Sequence, residues 1–400
     1  MILPRRLLVA ALALLDLPGL AAQPKPRARA LGVPLNGSTG PLNAITDVAG
    51  VEVGMSTIIK GDGKLIVGQG PVRTGVTAVF PRGKAATESV FGAWFSLNGN
   101  GEMTGTTWLE ESGLLGGPVM ITNTHSVGAV HDAVIGWVVK QGRAFDWSLP
   151  LVAETWDGGL NDINGFHVTR QHVVAAIEGA RGGPVLEGNV GGGTGMTCHQ
   201  FKGGTGTSSR QIAVLGTGYT VGVLVQCNYG SRRRFTVAGV PVGQEIPDLL
   251  PCYRPTGDGS TTRTPSCLSA TRPDGEGDGS IIVVVATDVP LLPHQLKRVV
   301  KRAALGIGRM GGMGENSSGD IFVAFSTANV GADRGDRLAQ LTAIPNEAIN
   351  PVFEATIEAT GEAILNAMLA AETMVGADGR TVFALPHDRL TAALAKYGRR

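Results

Sequence analysis

Ser280 stands where a polar run gives way to an apolar one. Before it lies Arg272-Pro273-Asp274-Gly275-Glu276-Gly277-Asp278-Gly279; after it lies Ile281-Ile282-Val283-Val284-Val285-Ala286-Thr287. The second run is β-branched and reads as a buried strand. A cut between Gly279 and Ser280 would put a hydroxyl nucleophile and a free α-amine on one residue. An unperturbed α-amine titrates at about pH 7.7–8.0, so it can act as the base that activates the hydroxyl.

Other residues could complete such a site. Glu315-Asn316-Ser317-Ser318-Gly319-Asp320 precedes a second apolar run, Ile321-Phe322-Val323-Ala324-Phe325. Ser318 and Asp320 are two apart, so on an extended chain they point the same way. They either form an ordinary polar turn or orient a neighbouring amine. Asn228, in Gln226-Cys227-Asn228-Tyr229-Gly230, closes an apolar strand and either donates to an oxyanion or caps a turn. Glu154, in Ala153-Glu154-Thr155-Trp156-Asp157-Gly158, is an acid in apolar and aromatic surroundings. It is either a surface charge or a partner for a substrate ammonium, with Trp156 helping to shape the pocket.

Several chemistries are disfavoured. No G-x-S-x-G elbow supports a histidine-dependent hydrolase. No H-E-x-x-H or C-x-x-C supports a metal site, and the seven histidines are scattered. No metal or organic cofactor is expected. Gly191-Gly192-Gly193-Thr194-Gly195 and Gly203-Gly204-Thr205-Gly206 lack the phosphate-loop pattern. They read as tight turns, or as amides held near the site to receive an oxyanion. Formal charge is +1 and the longest basic block is Arg232-Arg233-Arg234, so a nucleic-acid partner is not expected.

The N-terminus reads as a secretory signal over residues 1–22. Arg5-Arg6 are followed by an apolar stretch from Leu7 to Leu15 and the small residues Ala21-Ala22. The mature chain is therefore expected to be exported, to the periplasm, and free of the membrane. Cys252 and Cys267 could form a local disulfide. Cys198 and Cys227, in glycine-rich apolar surroundings, read as small buried residues.

The positioning elements follow from periodicity. Strands are expected over 51–54, 75–79, 119–122, within 212–225, and over 281–287 and 321–325. Helices are expected over 127–141, 172–181, 293–305, 350–375 and 388–397, with Asn350 as N-cap. Residues 251–279 are almost devoid of apolar side chains and read as a linker or exposed loop. Strands on both sides of it need partners, which predicts one α/β domain containing a nickable loop.

Together these segments resemble the β-peptidyl aminopeptidases and the related L-aminopeptidase D-amidase/D-esterases over nearly the whole mature chain. The resemblance rests on long stretches in order: Asn43 to Gly54, Thr74-Gly75-Val76-Thr77, Glu187 to Met196, Phe201-Lys202-Gly203-Gly204, Ile282 to Pro290 and Pro293-His294-Gln295-Leu296. It implies a four-layer α-β-β-α sandwich, N-terminal-nucleophile-like but differently connected from its better-known members. It also implies autocleavage at Gly279–Ser280 into an α chain (23–279) and a β chain (280–400). Ser280 would be the nucleophile, Ser318 and Asp320 the orienting pair, Asn228 the oxyanion donor and Glu154 the acid that binds the substrate's free amine. The family has Glu where Asp320 stands, one methylene longer. The substrate would be a small peptide or amino-acid amide, and the assembly a homo-oligomer, usually a tetramer. A self-cleaving acyltransferase resembling the ornithine acetyltransferases is the rival within related architectures, but those use threonine and are cytoplasmic. An exported binding protein without catalysis is the rival outside them.

Overall fold

A computed structural model of the protein describes residues 25–142, 147–253, 268–269 and 279–399. The expected signal over 1–22, most of the 251–279 linker and Cys267 lie outside those residues.

Ten strands build two sheets. They are β1 (Glu52–Lys60), β2 (Val72–Phe80), β3 (Val90–Ser96), β4 (Leu114–Leu115), β5 (Val119–Asn123), β6 (Leu151–Thr155), β7 (Gly204–Val214), β8 (Thr217–Asn228), β9 (Ser280–Thr287) and β10 (Ile321–Ser326). One sheet has the order β1-β2-β5-β6, the other β4-β3-β10-β9-β8-β7. β9 runs parallel to β10 and antiparallel to β8. The segments before and after the linker region therefore share one sheet, with β9 at its centre.

Alternation along β9 shows how the layers form. Ile282, Val284 and Ala286 join Val79, Ile121, Leu151 and Ala153 of the facing sheet in one core. Ile281, Val283 and Val285 face the opposite way, into a core shared with helices. Both faces of this strand are covered, which is why its sequence is continuously apolar instead of alternating. Helices α1 (Val127–Lys140) and α2 (Arg170–Glu178) cover the outer face of the first sheet through Val130, Val134, Trp137, Val173 and Ile177. Helices α3 (Pro293–Val300), α4 (Ala303–Arg309) and α5 (Asn350–Ala370) cover the second. The result is the four-layer α-β-β-α sandwich expected.

Three helices differ from expectation by more than a residue at an end; the one expected over 172–181 is α2, Arg170–Glu178, which lies two to three residues earlier. The helix expected over 293–305 is two helices, because the chain tightens at Arg302. Its N–H bonds Val299 O at 2.9 Å, and its guanidinium lies 3.7 Å from the centre of the Phe353 ring. The long helix begins at Asn350 itself and stops at Ala370, before the expected 375. There Lys25 Nζ takes the Ala370 carbonyl at 2.9 Å and Asn189 Nδ2 takes that of Glu372 at 2.9 Å. Met374–Val375 then pairs with Arg380–Val382 as a small strand.

Ile282 is fully buried between the sheets two residues from Ser280. Ile282→Ala is expected to cost roughly 2–5 kcal/mol, read as a lower denaturant midpoint at unchanged slope. A loss well under that range would mean the inter-sheet core is loosely packed there.

Candidate active site

The ladder between β8 and β9 ends by pairing Asn228 with Ser280. Directly opposed residues project their side chains to the same face, about 4.5–5.5 Å apart at Cβ. Leu224 and Ile282 on the same two strands point into the inter-sheet core, so Asn228 and Ser280 point to the end of that layer. Gln226 secures the layer just below by donating to Thr122 O at 2.9 Å and Thr155 Oγ1 at 2.8 Å on the facing sheet. Gly279, just before the serine, has φ +149°, and a Cβ there would overlap the Asn228 carbonyl oxygen. Only glycine fits this backbone.

The turn leading into β10 holds Ser318 and Asp320. Ser318 Oγ donates to Asp320 Oδ1 at 2.6 Å, and the Ile281 N–H donates to the same oxygen at 3.2 Å. The Gly319 N–H donates to Ser280 Oγ at 3.1 Å. Ser280 is 6% exposed, while Ser318 and Asp320 are fully buried. The turn that holds them is fixed from the segment after β3: Asn98 Oδ1 accepts the Asp320 N–H at 2.7 Å and its Nδ2 donates to Glu315 O at 2.8 Å. Asp therefore reaches both Ser318 and the backbone beside Ser280 despite its shorter side chain.

Burial pushes the Asp320 carboxyl up to about 6, with the nearby Glu315 charge adding to the rise and Ser318, Ile281 and Asn98 opposing it. Its second oxygen, Oδ2, has no protein partner among the described residues. A free amine on Ser280 would arise next to this carboxylate.

Asn228 is held at both ends of its amide. The Thr197 N–H donates to Oδ1 at 2.7 Å, and Nδ2 donates to Trp156 O at 2.9 Å. An amide nitrogen carries two hydrogens, so one is left over after the Trp156 contact. The neighbours of this contact are themselves joined. Cys198 and Cys227 form a disulfide, with Cα atoms 5.6 Å apart. Sequence alone suggested two small buried residues; they are buried, but oxidised to each other, because the 197–202 turn folds back onto the end of β8. Cys252 is also disulfide-bonded.

Glu154, at the end of β6, is 3% exposed. It accepts the Glu102 N–H at 2.9 Å on Oε1 and the Thr124 hydroxyl on Oε2. Burial raises its pKa, and these two donors oppose the rise. A Cβ on Gly101 would stand 3.2 Å from Glu154 Oε1 and 3.1 Å from Gly319 Cα. One glycine thus separates the Glu154 carboxylate from the peptide that contacts Ser280. Trp156 is 52% exposed and its ring lies over Gly158, where a Cβ would come within 2.7 Å of it. Its backbone carbonyl, through Asn228, is what ties it to the centre.

In the first glycine-rich segment, expected to form tight turns or to offer amides to an oxyanion, three N–H groups are already engaged within the fold. The N–H groups of Gly191, Gly192 and Gly193 are engaged by Thr57 Oγ1, Thr77 Oγ1 and Val190 O. These residues are glycine because other chains pass close; a Cβ on Gly192 would overlap Gln226 Oε1. Sequence reasoning passed over Asn98, Gly101, Thr124 and Thr197. The Asn98-Gly99-Asn100-Gly101 run signals a turn, but not what the turn holds.

Residues 43–382 match the model of peptidase family S58. Among relatives, the β-peptidyl aminopeptidase BapA of Sphingosinicella microcystinivorans is 55% identical over 384 residues, covering 96% of this chain and 95% of that protein. Among solved structures is the L-aminopeptidase D-Ala-esterase/amidase from Ochrobactrum anthropi, described as a prototype for the serine aminopeptidases and a new variant among the Ntn hydrolase fold. It superposes with TM-score 0.83 at 47% identity, covering 94% of this chain and 99% of that one. A β-aminopeptidase from Burkholderia sp. superposes with TM-score 0.81 at 43% identity, with coverage of 94% and 99%. The chain belongs to peptidase family S58. It is a serine-type aminopeptidase with an N-terminal-nucleophile hydrolase fold.

The raised Asp320 pKa has a consequence for stability. In an unfolded chain this carboxyl titrates near its ordinary value, so the fold holds the proton more tightly. The resulting stabilisation is complete below about pH 4 and is lost as pH rises through about 6. In a Ser280→Ala background, Asp320→Asn should therefore raise the melting temperature at pH 8 and leave it nearly unchanged at pH 4. An equal effect at both values would show that Asp320 does not titrate in this range.

Proposed function

We propose that the protein is exported, cuts itself at Gly279–Ser280, and then removes N-terminal residues, β-amino acids among them, from short peptides and amides. The observation that carries this reading is the convergence on Ser280 of three elements. Asn228 lies opposite it, the Gly319 N–H bonds its hydroxyl, and Asp320 bonds the adjacent Ile281 N–H.

In the first reaction Ser280 Oγ attacks the Gly279 carbonyl carbon. The C–N bond breaks, the nitrogen takes up a proton, and an ester links Gly279 to the serine oxygen. Water hydrolyses that ester, freeing the Gly279 carboxylate and a Ser280 bearing its own amine. In the second reaction this amine, held by Ser318 and Asp320, accepts the hydroxyl proton as Oγ attacks the carbonyl of a substrate's N-terminal residue. The negative charge on the carbonyl oxygen is met by the remaining Asn228 N–H; removing one such donor typically costs about 100- to 1000-fold in turnover. The leaving amine takes the proton, and water resolves the acyl-enzyme. Glu154 pairs with the substrate ammonium, which restricts cleavage to chain ends.

The β-residue preference rests on the similarity to the Sphingosinicella and Burkholderia enzymes. A second reading, preference for D-alanine amides and esters or short L-peptides, rests on the likeness to the Ochrobactrum enzyme. The paired, buried Cys198 and Cys227 suit an oxidising compartment.

Intact mass and N-terminal sequencing test the cut. Two fragments are expected, the smaller beginning Ser280-Ile281-Ile282-Val283, and Ser280→Ala should remain whole and inactive. A single uncut chain in an active preparation would overturn the proposal. β-Homoamino-acid anilides hydrolysed faster than D-alanine anilides would favour the first substrate class, and the reverse order the second.

A further inference from the structure

Lys202 is fully buried, yet no carboxylate lies within salt-bridge distance of it among the described residues. Its Nζ donates to Met196 O at 2.7 Å and to Gly203 O at 2.9 Å. The first contact matters because of which peptide it polarises. The Met196 carbonyl belongs to the same peptide group as the Thr197 N–H, and that N–H donates to Asn228 Oδ1 at 2.7 Å. The amide of Asn228 in turn offers its nitrogen at the Ser280 end of the ladder. Amine, peptide and side-chain amide thus form one head-to-tail series of hydrogen bonds.

We infer that Lys202 is a positioning residue that fixes and polarises the Asn228 amide, through the Met196–Thr197 peptide, for the charge formed on the scissile carbonyl. Each acceptor in such a series becomes a better donor at its far end, and the effect is largest where water is excluded. Most of the relay is buried: Met196 and Lys202 have no exposed surface, Asn228 is 5% exposed, and only Thr197, which takes part through its backbone N–H, is partly exposed. The geometry is locked on both sides of the relay. Thr197 pairs with Lys202 across the turn, and the Cys198–Cys227 disulfide joins the residues that follow Thr197 and precede Asn228. Burial lowers the Lys202 pKa to about 7, while the buried Asp157 nearby opposes that fall and helps the amine retain its proton.

The inference rests on the reading of Asn228 as the oxyanion donor, and a double-mutant cycle separates the two. Lys202→Met, Asn228→Ala and the double variant are purified, their cleaved fraction is measured by mass, and kcat and KM are determined on the cleaved form with one amino-acid anilide. Lys202→Met should lower kcat by about tenfold with KM within about twofold, Asn228→Ala by about 100-fold, and the double variant little more than Asn228→Ala alone. If Asn228→Ala leaves kcat unchanged, the oxyanion reading fails, and this inference with it. If Asn228→Ala is damaging but the two losses multiply in full, or if Lys202→Met raises KM without lowering kcat, the relay alone is overturned. Should Lys202→Met not accumulate folded, Lys202→Gln, which keeps two N–H donors without the charge, enters the same cycle with the same criteria.

Discussion

The register of β9 against β8 is the constraint on which the site depends. It sets Ser280 opposite Asn228 and, through strict alternation, sends both side chains to the inter-sheet end of the layer. A slip of one residue would turn Ser280 to the helical face and expose Ile282, Val284 and Ala286 to the wrong environment. The hydrophobic patterning that stabilises the two cores is therefore the same information that aims the nucleophile. The parallel pairing of β10 with β9 adds the third side, because it brings Gly319 and Asp320 alongside the first residues of β9.

Around that frame, desolvation and hydrogen bonding act in opposition. Asp320 and Glu154 are both buried, and burial raises both pKa values. Each is held by donors: Asp320 by Ser318 of its own turn and Ile281 of β9, Glu154 by Glu102 and Thr124. The 98–102 segment serves both, since Asn98 braces the Asp320 turn while the Glu102 N–H braces Glu154. The two segments can lie this close because Gly101 and Gly319 have no side chains where their backbones meet.

Much of this was legible in sequence where the signal was local. The β-branched run after Gly279 defines β9, and the two-residue spacing of Ser318 and Asp320 predicts their shared side. Glu154 and Asn228 are legible as candidates, and the stretches shared with a known family gave them roles. What escaped depends on contacts between distant segments. Cys198 and Cys227 are 29 residues apart and meet only after the 197–202 turn folds over the strand end. Thr197 and Glu102 act through backbone N–H groups, which leave no trace in residue type. The break between α3 and α4 coincides with Arg302 stacking on Phe353, a tertiary contact that periodicity cannot show.

The central place of β9 also bears on what a severed chain can do once it is lost. Inside the fold, a break before Ser280 would leave the strand held by neighbours on both sides and by cores on both faces. After complete denaturation the situation reverses. Two separate polypeptides would have to find each other before the middle of the sheet could form, so recovery would become second order in concentration and compete with aggregation of exposed strand edges. Such a molecule would owe its persistence to slow unfolding, and its history of folding once as a single chain would not be repeatable.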